Sequence, residues 1–142
     1  MLRATDIADT AYIAGLFDGE GCVTCKKKKT KRRGKVYNQW YIRCEISMTD
    51  KEIIEWLHEA LGFGWSGEKK YTKRPKHYKR QWRWSCGYRD ALEFAKLMWP
   101  YTQIKLHKLE SIIDHYEPRA QDLGDNVVDL VTEREIRKLE DR

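Results

Sequence analysis

The sequence predicts one α+β domain in which a four-stranded antiparallel sheet carries its helices on one face. Three observations point to this class. The chain has 142 residues, which is enough to bury an apolar core without disulfide bonds. Apolar side chains recur at helical spacing in some stretches and at every second position in others. These stretches follow one another as helix, two strands, helix, two strands and two helices, an order typical of α+β domains.

The first half of the chain supplies a helix, a pair of strands and a second helix. The helices are expected over residues 10–20 and 51–61, and the strands over residues 23–31 and 37–48. In the second strand apolar and polar side chains alternate, which gives the sheet one apolar and one polar face. Residues suited to caps or turns stand between these elements: Asp9 or Thr10, Gly21, Gly34 and Thr49-Asp50.

The second half of the chain supplies another pair of strands and two helices. We expect strands over residues 65–72 and 78–86. Helices are expected over residues 90–98 and 102–116, with Pro100 breaking the chain between them.

The predicted domain ends near residue 117. Residues 1–117 hold all of the elements above, and residues 118–142 form an acidic C-terminal tail with one expected helix over residues 127–139. From residue 110 to the C-terminus, 10 Asp and Glu residues stand against 5 Lys and Arg residues, so this end of the chain is negatively charged.

Basic residues are concentrated in the middle of the chain. The net charge is +6, but residues 26–83 contain 18 Lys and Arg residues against 6 Asp and Glu residues. Tryptophan and tyrosine residues are interleaved with them. A basic surface with aromatic side chains favours a nucleic-acid partner over a merely solvated face. A basic α+β domain with another kind of partner remains an alternative.

The polar face of the predicted sheet is the candidate surface for nucleic acid. Alternate residues of the second and fourth strands point to it, together with lysines of the first and third strands. The candidate DNA-binding residues on this face are Lys26, Lys28, Gln39, Tyr41, Arg43, Glu45, Lys69, Gln81 and Arg83.

Small residues form a stripe along the first helix, and a carboxylate stands at its end. Ala11, Gly15 and Gly19 lie four residues apart, and each glycine costs a helix about 1 kcal/mol relative to alanine. Such a stripe permits tight packing within the domain or the close approach of another helix. Glu20 lies at the negative end of the helix dipole, where a carboxylate calls for a cation. If two such helices met at a two-fold axis, the two Glu20 carboxylates would repel unless a divalent metal ion lay between them.

The end of this helix carries a resemblance to a known family. Residues 13–21 read Ile-Ala-Gly-Leu-Phe-Asp-Gly-Glu-Gly, which resembles the LAGLIDADG motif of homing endonucleases. In that family the motif helix opens the domain and is followed by strand, strand, helix, strand, strand and helix, the order predicted here. The resemblance covers residues 10–116 and implies an αββαββα fold with a saddle-shaped sheet. One copy of the motif is similar to the homodimeric members, so the resemblance also implies a homodimer.

The resemblance implies roles for residues in and beyond the motif. Glu20 matches the acidic position that binds the catalytic divalent metal ion, and the Gly19 carbonyl matches a further ligand. Mg²⁺ is the expected ion, with Mn²⁺ or Ca²⁺ as other ions that the site would bind. Lys105, shortly after Pro100, resembles the active-site lysine of the family. The dimer interface would contain Ala11, Tyr12, Gly15 and Gly19.

Two departures from the family bear on the chemistry. Glu20 stands where the motif ends in aspartate, although both side chains supply hard oxygen ligands. At the end of the second strand the family has a polar residue, often glutamine, that orders active-site water. This sequence has Ser47-Met48-Thr49 there, so Ser47 or Thr49 would have to take that role.

With the resemblance, the predicted function is site-specific cleavage of double-stranded DNA. The family hydrolyses phosphodiesters with a divalent metal ion, cuts long pseudo-palindromic sites as a dimer and leaves short 3′ overhangs. Gln39, Arg43 and Arg83 are the candidate base readers, since arginine pairs bidentately with guanine and glutamine with adenine. Glu45 would accept from cytosine. Lysines elsewhere in the basic stretch are expected to contact phosphates.

Two other functions with the same fold remain open. One is a DNA-binding regulator that has lost cleavage, against which Glu20 and Lys105 both argue. The other is an RNA maturase that assists intron folding, which the sequence does not separate from a DNA endonuclease.

The remaining patterns carry weaker signals. Cys22 and Cys25 form a C-x-x-C pair without a partner pair, and on a strand they face opposite sides, which disfavours zinc. Cys44 and Cys86 are expected to be buried apolar side chains. No apolar stretch reaches the roughly 18–20 residues of a membrane span, and the N-terminal residues lack a signal-peptide pattern. We therefore expect no membrane partner and an intracellular location, in the cytoplasm or in an organelle of a eukaryote.

Overall fold

The computed structural model describes residues 6–71, 73 and 77–118, which form a four-stranded antiparallel sheet and four helices. In chain order the elements are α1 (Ile7–Glu20), β1 (Gly21–Arg32), β2 (Lys35–Met48), α2 (Lys51–Leu61), β3 (Trp65–Glu68), β4 (Trp82–Gly87), α3 (Arg89–Met98) and α4 (Leu106–Tyr116). The strands are arranged as β1-β2-β4-β3. The predicted fold class is confirmed. The expected tail helix, residues 127–139, lies outside the described residues, so the division of the chain at residue 117 stays a prediction.

Helix α1 begins earlier than predicted because Asp6 caps it. The Asp6 carboxylate accepts a hydrogen bond from the backbone N–H of Asp9 at 2.7 Å. The Thr10 hydroxyl donates to the Asp6 carbonyl at 2.9 Å. The predicted caps, Asp9 and Thr10, were therefore wrong, and both residues lie within the first turns of the helix.

Helix α1 passes into β1 without a loop. The helix ends at Glu20 and the strand begins at Gly21, where the sequence predicted the helix to stop. A Cβ atom at residue 21 would lie 2.2 Å from a ring carbon of Phe17, so glycine is needed for the strand to start this close to the helix.

Strands β1 and β2 form a long hairpin that extends past the core. They pair antiparallel along their length. Arg33 and Gly34 form the turn with φ of 48° and 76°, left-handed values that suit a two-residue hairpin turn. We call residues 26–39 the distal hairpin. All of them are exposed except the half-buried Thr30.

Strands β3 and β4 were predicted too long. They cover Trp65–Glu68 and Trp82–Gly87, and one more backbone hydrogen bond, from the Lys69 N–H to the Gln81 carbonyl at 2.8 Å, continues their pairing. Basic residues follow on both sides of that bond. Like charges facing each other across a strand pair are destabilising, which explains why the ladder ends there.

The apolar core lies between the sheet and the helices. The Phe94 ring of α3 packs edge-on against Phe17 of α1, with ring centroids 5.0 Å apart, and also contacts Trp84 of β4 at 4.9 Å. Trp84 and Cys44 are fully buried, and Cys86 is 5% exposed. The predicted burial of Cys44 and Cys86 is confirmed.

The helices after β4 follow the prediction except at one boundary. Helix α3 ends at Met98, just before Pro100, as expected. Helix α4 begins at Leu106 rather than at residue 102, because Asp18 of α1 binds the backbone N–H groups of residues 103–105. Within the described ranges, none of the helices is both long and apolar enough to cross a bilayer.

Candidate active site and DNA-binding face

The C-terminal end of α1 places Glu20 beside the start of the sheet. Glu20 and Gly19 are both exposed. Gly21, the residue after Glu20, pairs with Ile46, and Ser47 is the next residue of β2. Ser47 is half-buried and lies opposite Arg83 on the polar face of the sheet. Thr49, the other predicted water-ordering residue, is exposed at the bend that leads into α2.

Lys105 comes from the segment before α4 to the same end of α1. Its Nζ donates a hydrogen bond of 2.7 Å to the backbone carbonyl of Asp18. Lys105 is half-buried, and this bond holds its ammonium at the backbone of Asp18, two residues before Glu20. Two residues that lie far apart in the sequence and were predicted to share an active site, Glu20 and Lys105, are thus brought to one corner of the molecule.

The carboxylate of Asp18 holds this segment in place. It accepts hydrogen bonds from three successive backbone N–H groups: those of Gln103 at 2.8 Å, Ile104 at 3.1 Å and Lys105 at 3.1 Å. Residues 103–105 therefore form a turn around Asp18 instead of the first turn of α4, which explains the late start of that helix.

Sequence reasoning missed Asp18 as a site residue. It placed Asp18 in the same helical turn as Glu20 but gave it no partner. No local pattern signalled this role, because the N–H groups that Asp18 binds lie in a segment far along the chain.

The donors at this corner suit a hard divalent cation. The Glu20 carboxylate and the Gly19 carbonyl offer oxygen atoms, and Mg²⁺ is commonly held by one or two carboxylates with water completing its shell. The Asp18 carboxylate is occupied by backbone N–H groups and so is not a free ligand. Among the described residues, no three His, Cys, Asp or Glu side chains are grouped to bind a metal ion within one chain.

The small-residue stripe of α1 faces away from the other residues that the structure describes. Ala11, Gly15 and Gly19 are exposed, and Tyr12 is 50% exposed while touching Trp56 edge-on. A Cβ atom built at Gly15 or at Gly19 would meet no atom within 4 Å. Tight packing within the domain, the first of the two explanations for the stripe, is therefore wrong for these two glycines.

The predicted polar residues lie on one face of the sheet. The register pairs Lys26 with Tyr41 and Lys28 with Gln39, and it places Arg43 and Glu45 on the same face. Arg83 joins them through its pairing with Ser47. Gln81 lies just before β4 and Lys69 just after β3. Each lies two positions from a strand residue on this face, so both continue the same side of the sheet.

Aromatic side chains support the cations on this face. The Lys28 ammonium lies 4.3 Å from the Tyr41 ring centroid, and the Lys69 ammonium lies 5.5 Å from that of Tyr71. The Tyr71 hydroxyl donates to the Gln81 side-chain oxygen at 2.6 Å. Near the hairpin turn, a pocket of about 430 Å³ is lined by Thr30, Arg32, Arg33, Tyr37 and Gln39.

Trp65 is a second residue that sequence reasoning missed. It was grouped with the aromatic residues of the basic stretch without a face being assigned. The register pairs it with Ser85, on the polar face, where its side chain is 49% exposed and lies 5.6 Å from the Arg83 guanidinium. The signal was present, because Trp65 and Lys69 lie an even number of positions apart and therefore share a face of a strand.

The cysteines do not form a metal site in the described part of the chain. Cys22 lies on the polar face, and Cys25 points to the opposite side, where its Sγ approaches the Ser111 carbonyl at 3.9 Å. Burial raises the pKa of the Cys25 thiol. A hydrogen bond with Cys86, together with burial, raises the pKa of the Cys44 thiol well above its usual value.

A sequence model described as LAGLIDADG endonuclease matches residues 13–86, from the motif in α1 to the end of the sheet. The match covers more than half of the chain, and the chain belongs to this family. The predicted family membership is therefore confirmed. Among curated proteins no sequence match was found.

Solved structures of homing endonucleases share the fold at low sequence identity. The chain is similar to I-CvuI in complex with its target and Ca, with a TM-score of 0.56, 16% identity, and coverage of 94% of this chain and 95% of that chain. It is similar to the archaeal intron-encoded I-Vdi141I complexed with DNA, with a TM-score of 0.58, 17% identity, and coverage of 75% and 65%. For I-SmaMI bound to cleaved DNA the TM-score is 0.57, the identity 18%, and the coverage 87% of this chain but 43% of that one.

Proposed function

We propose that this protein is a site-specific endonuclease that cuts both strands of a long DNA duplex as a homodimer, with a divalent metal ion such as Mg²⁺. The observation that carries the proposal is the corner where α1 ends. There Glu20 is exposed at the end of the uncovered stripe of small residues. Lys105 is held at the same end of the helix by its hydrogen bond to the Asp18 carbonyl. Membership of the LAGLIDADG endonuclease family and the DNA complexes of the similar structures support the same substrate.

The exposed stripe of α1 supports a homodimer. Ile13, Ala14 and Phe17 are buried on one side of the helix, yet the other side also carries Ala11 and glycines instead of charged residues. A helix that is apolar on both sides is normally covered on both sides. A second α1 is the proposed cover, because two identical stripes allow two helix backbones to approach closely around a two-fold axis.

Pairing of the helices would bring together two exposed Glu20 carboxylates, one from each copy, and these two side chains would hold the metal ion. Such an ion, when bound, would supply positive charge to the scissile phosphate and lower the pKa of a bound water molecule. Lys105 contributes a fixed positive charge for the negative charge that develops on the phosphate. Of the two candidates for ordering water we favour Ser47, because it directly follows Ile46, the pairing partner of Gly21.

The polar face of the sheet is the proposed contact with the duplex. Lysines of the distal hairpin neutralise phosphates, and residues nearer the centre read base edges in the major groove. Two copies related by a two-fold axis would contact two half-sites, which accounts for a long pseudo-palindromic target. Each copy cuts one strand near the axis, and we propose short 3′ overhangs for the product.

A cleavage assay on duplexes selected by the protein tests this function. Duplexes bound from a randomised library are cloned into a supercoiled plasmid, and nicking and linearisation are followed with Mg²⁺ and with EDTA. We expect linear product with Mg²⁺ only. Glu20→Gln should abolish cutting and leave the Kd for the duplex nearly unchanged, while Glu55→Gln, which removes a surface carboxylate on α2, should cut normally.

The outcomes separate the three functions of this fold. Specific binding without cleavage under any divalent ion would identify a regulator, and tighter binding of intron RNA than of any duplex would identify an RNA-binding factor. Sedimentation of the complex with DNA gives the stoichiometry. A single chain per site would contradict the homodimer even if cleavage were observed.

A further inference from the structure

Two arginines on the polar face share one carboxylate. The Glu45 carboxylate lies 3.7 Å from Nε of Arg43 and 3.5 Å from Nη1 of Arg83. All three side chains are about three-quarters buried, with exposed fractions of 25–27%. Ion pairs of this kind are less screened by water and salt than those of freely exposed side chains. Glu45 therefore joins β2 and β4 through their side chains as well as through the backbone.

Further contacts fix Arg43 in this position. Its Nη1 donates to the Tyr41 hydroxyl at 3.2 Å, and its Nη2 donates to the Ser85 hydroxyl at 3.1 Å. Each terminal nitrogen of a guanidinium carries two N–H groups, so one on each remains for another acceptor. A guanidinium held on several sides loses little further freedom when it binds a ligand.

Arg83 is fixed by Glu45 on one side and by Trp65 on the other. Its guanidinium lies 5.6 Å from the Trp65 ring centroid. The indole lies so close over β3 that a Cβ atom at Gly67 would be 2.5 Å from it, so this aromatic surface has a defined place on the sheet. Trp65 is nevertheless 49% exposed, and burial in the core does not account for it.

A concave surface adjoins this array. A pocket of about 340 Å³ lies between β2, β3 and β4 on this side, and Tyr41, Arg43, Trp65, Ser85 and Tyr88 are among its lining residues. The two arginines outnumber the one carboxylate, so the array keeps a net positive charge. Both contacts go to the Oε2 atom of Glu45, so one carboxylate oxygen ties the two guanidinium groups together.

We propose that Glu45 and Trp65 are specificity-determining residues that hold Arg43 and Arg83 as a preformed pair for guanine. The proposal rests on the DNA-binding function above and revises the role of Glu45, from a base reader to a positioning residue. Guanine is the chosen base because its O6 and N7 offer two acceptors to one arginine in the major groove. Each half-site would then contain two guanine positions that depend on the same carboxylate.

Selection from a randomised duplex library, followed by sequencing, tests the proposal. We expect the wild-type protein to enrich guanine at two positions of each half-site. Glu45→Gln should lower the enrichment about tenfold at both positions together, within the range for one bidentate arginine contact. Affinity for unselected duplex at the same salt should not fall, because a negative charge has been removed. Thermal melting of each variant checks that the fold is retained.

Matched variants keep the test sharp. Glu68→Gln removes a carboxylate that pairs with Arg80 at 2.8 Å outside the array, and it should leave the selected sequence unchanged. Arg83→Lys keeps the charge but loses the planar fork, and it should relax one guanine position only. Trp65→Leu should relax the same position as Arg83→Lys.

Several results would overturn the inference. One is that Glu45→Gln keeps the guanine preference of the wild-type protein. If the wild-type protein still binds and cuts its selected duplexes, that result contradicts this inference but not the endonuclease function. Another is loss of a cytosine preference at one position, which would make Glu45 a direct base reader. If the wild-type protein selected no duplex at all, this inference and the proposed function would fail together.

Discussion

The corner at the end of α1 and the distal hairpin are both polar, but they are held in different ways. At the corner, Asp18 and Lys105 join two distant segments through four hydrogen bonds of 2.7–3.1 Å. In the distal hairpin nearly every side chain is exposed, and the lysines lie on both faces of the strands. The difference indicates that the two regions have different roles. The corner fixes the positions of the proposed catalytic residues, and the hairpin supplies positive charge for DNA affinity. Substitutions in the two regions should therefore change different measured quantities.

The largest expected effect is on turnover at the corner. Lys105→Met keeps the length of the side chain and removes its charge. The rate of cleavage at saturating protein should fall by about 10²–10³-fold, the usual loss when one preorganised charge is removed from a transition state. The Kd for the duplex should change little. Lys108→Met, on an exposed lysine in the first turn of α4, is the control and should cut at the normal rate.

The next effect is on stability at the same corner. Asp18→Asn replaces a charged acceptor of three backbone N–H groups by a neutral one, and the free energy of unfolding should fall by about 1.5–3 kcal/mol. Urea denaturation measures this change. Glu20→Gln is the matched variant, two residues along the same helix end. It should leave the unfolding free energy unchanged or slightly higher, because it removes a carboxylate from the negative end of the helix dipole. Equal losses in both variants would show that Asp18 has no special structural role.

The smallest effect is expected in the distal hairpin. Replacing Lys26 and Lys28 by alanine should reduce the slope of log Kd against log salt by about 0.9 for each lost phosphate contact. Cleavage at saturating protein and the unfolding free energy should not change. Lys29 and Lys31 lie on the other face of β1, and their replacement by alanine is the control. If both pairs changed the slope equally, the two faces of the hairpin would not be distinct in binding.

The elements with strong periodicity could be predicted from the sequence. The alternation in β2 gave its two faces, and α2 was placed at residues 51–61, as found, because a cap and a glycine bound it. The boundaries that failed depend on distant partners. Helix α4 starts late because Asp18, which lies far away in the sequence, binds the preceding N–H groups. Local patterns contain no information about such a contact.

The candidate site divides in the same way. The motif indicated Glu20, and the spacing from Pro100 indicated Lys105, but nothing local linked either residue to Asp18. Face assignment by alternation located the candidate DNA-binding residues, and it would also have located Trp65 had the third strand been read as strictly as the second. Pairing of Arg43 and Arg83 through Glu45 could not be foreseen, because it depends on which strands are neighbours in the sheet.

The absence of a loop between α1 and β1 has a consequence for how the proposed dimer measures DNA. Glu20 and Gly21 are consecutive, and the packing of Gly21 on Phe17 leaves no slack between helix and strand. In the proposed dimer, a rotation of one α1 against its partner would therefore turn the attached sheet with it. The crossing angle of the two helices would then set the number of base pairs between the half-sites, and a substitution in the helix stripe would alter target spacing without changing a base-contacting residue.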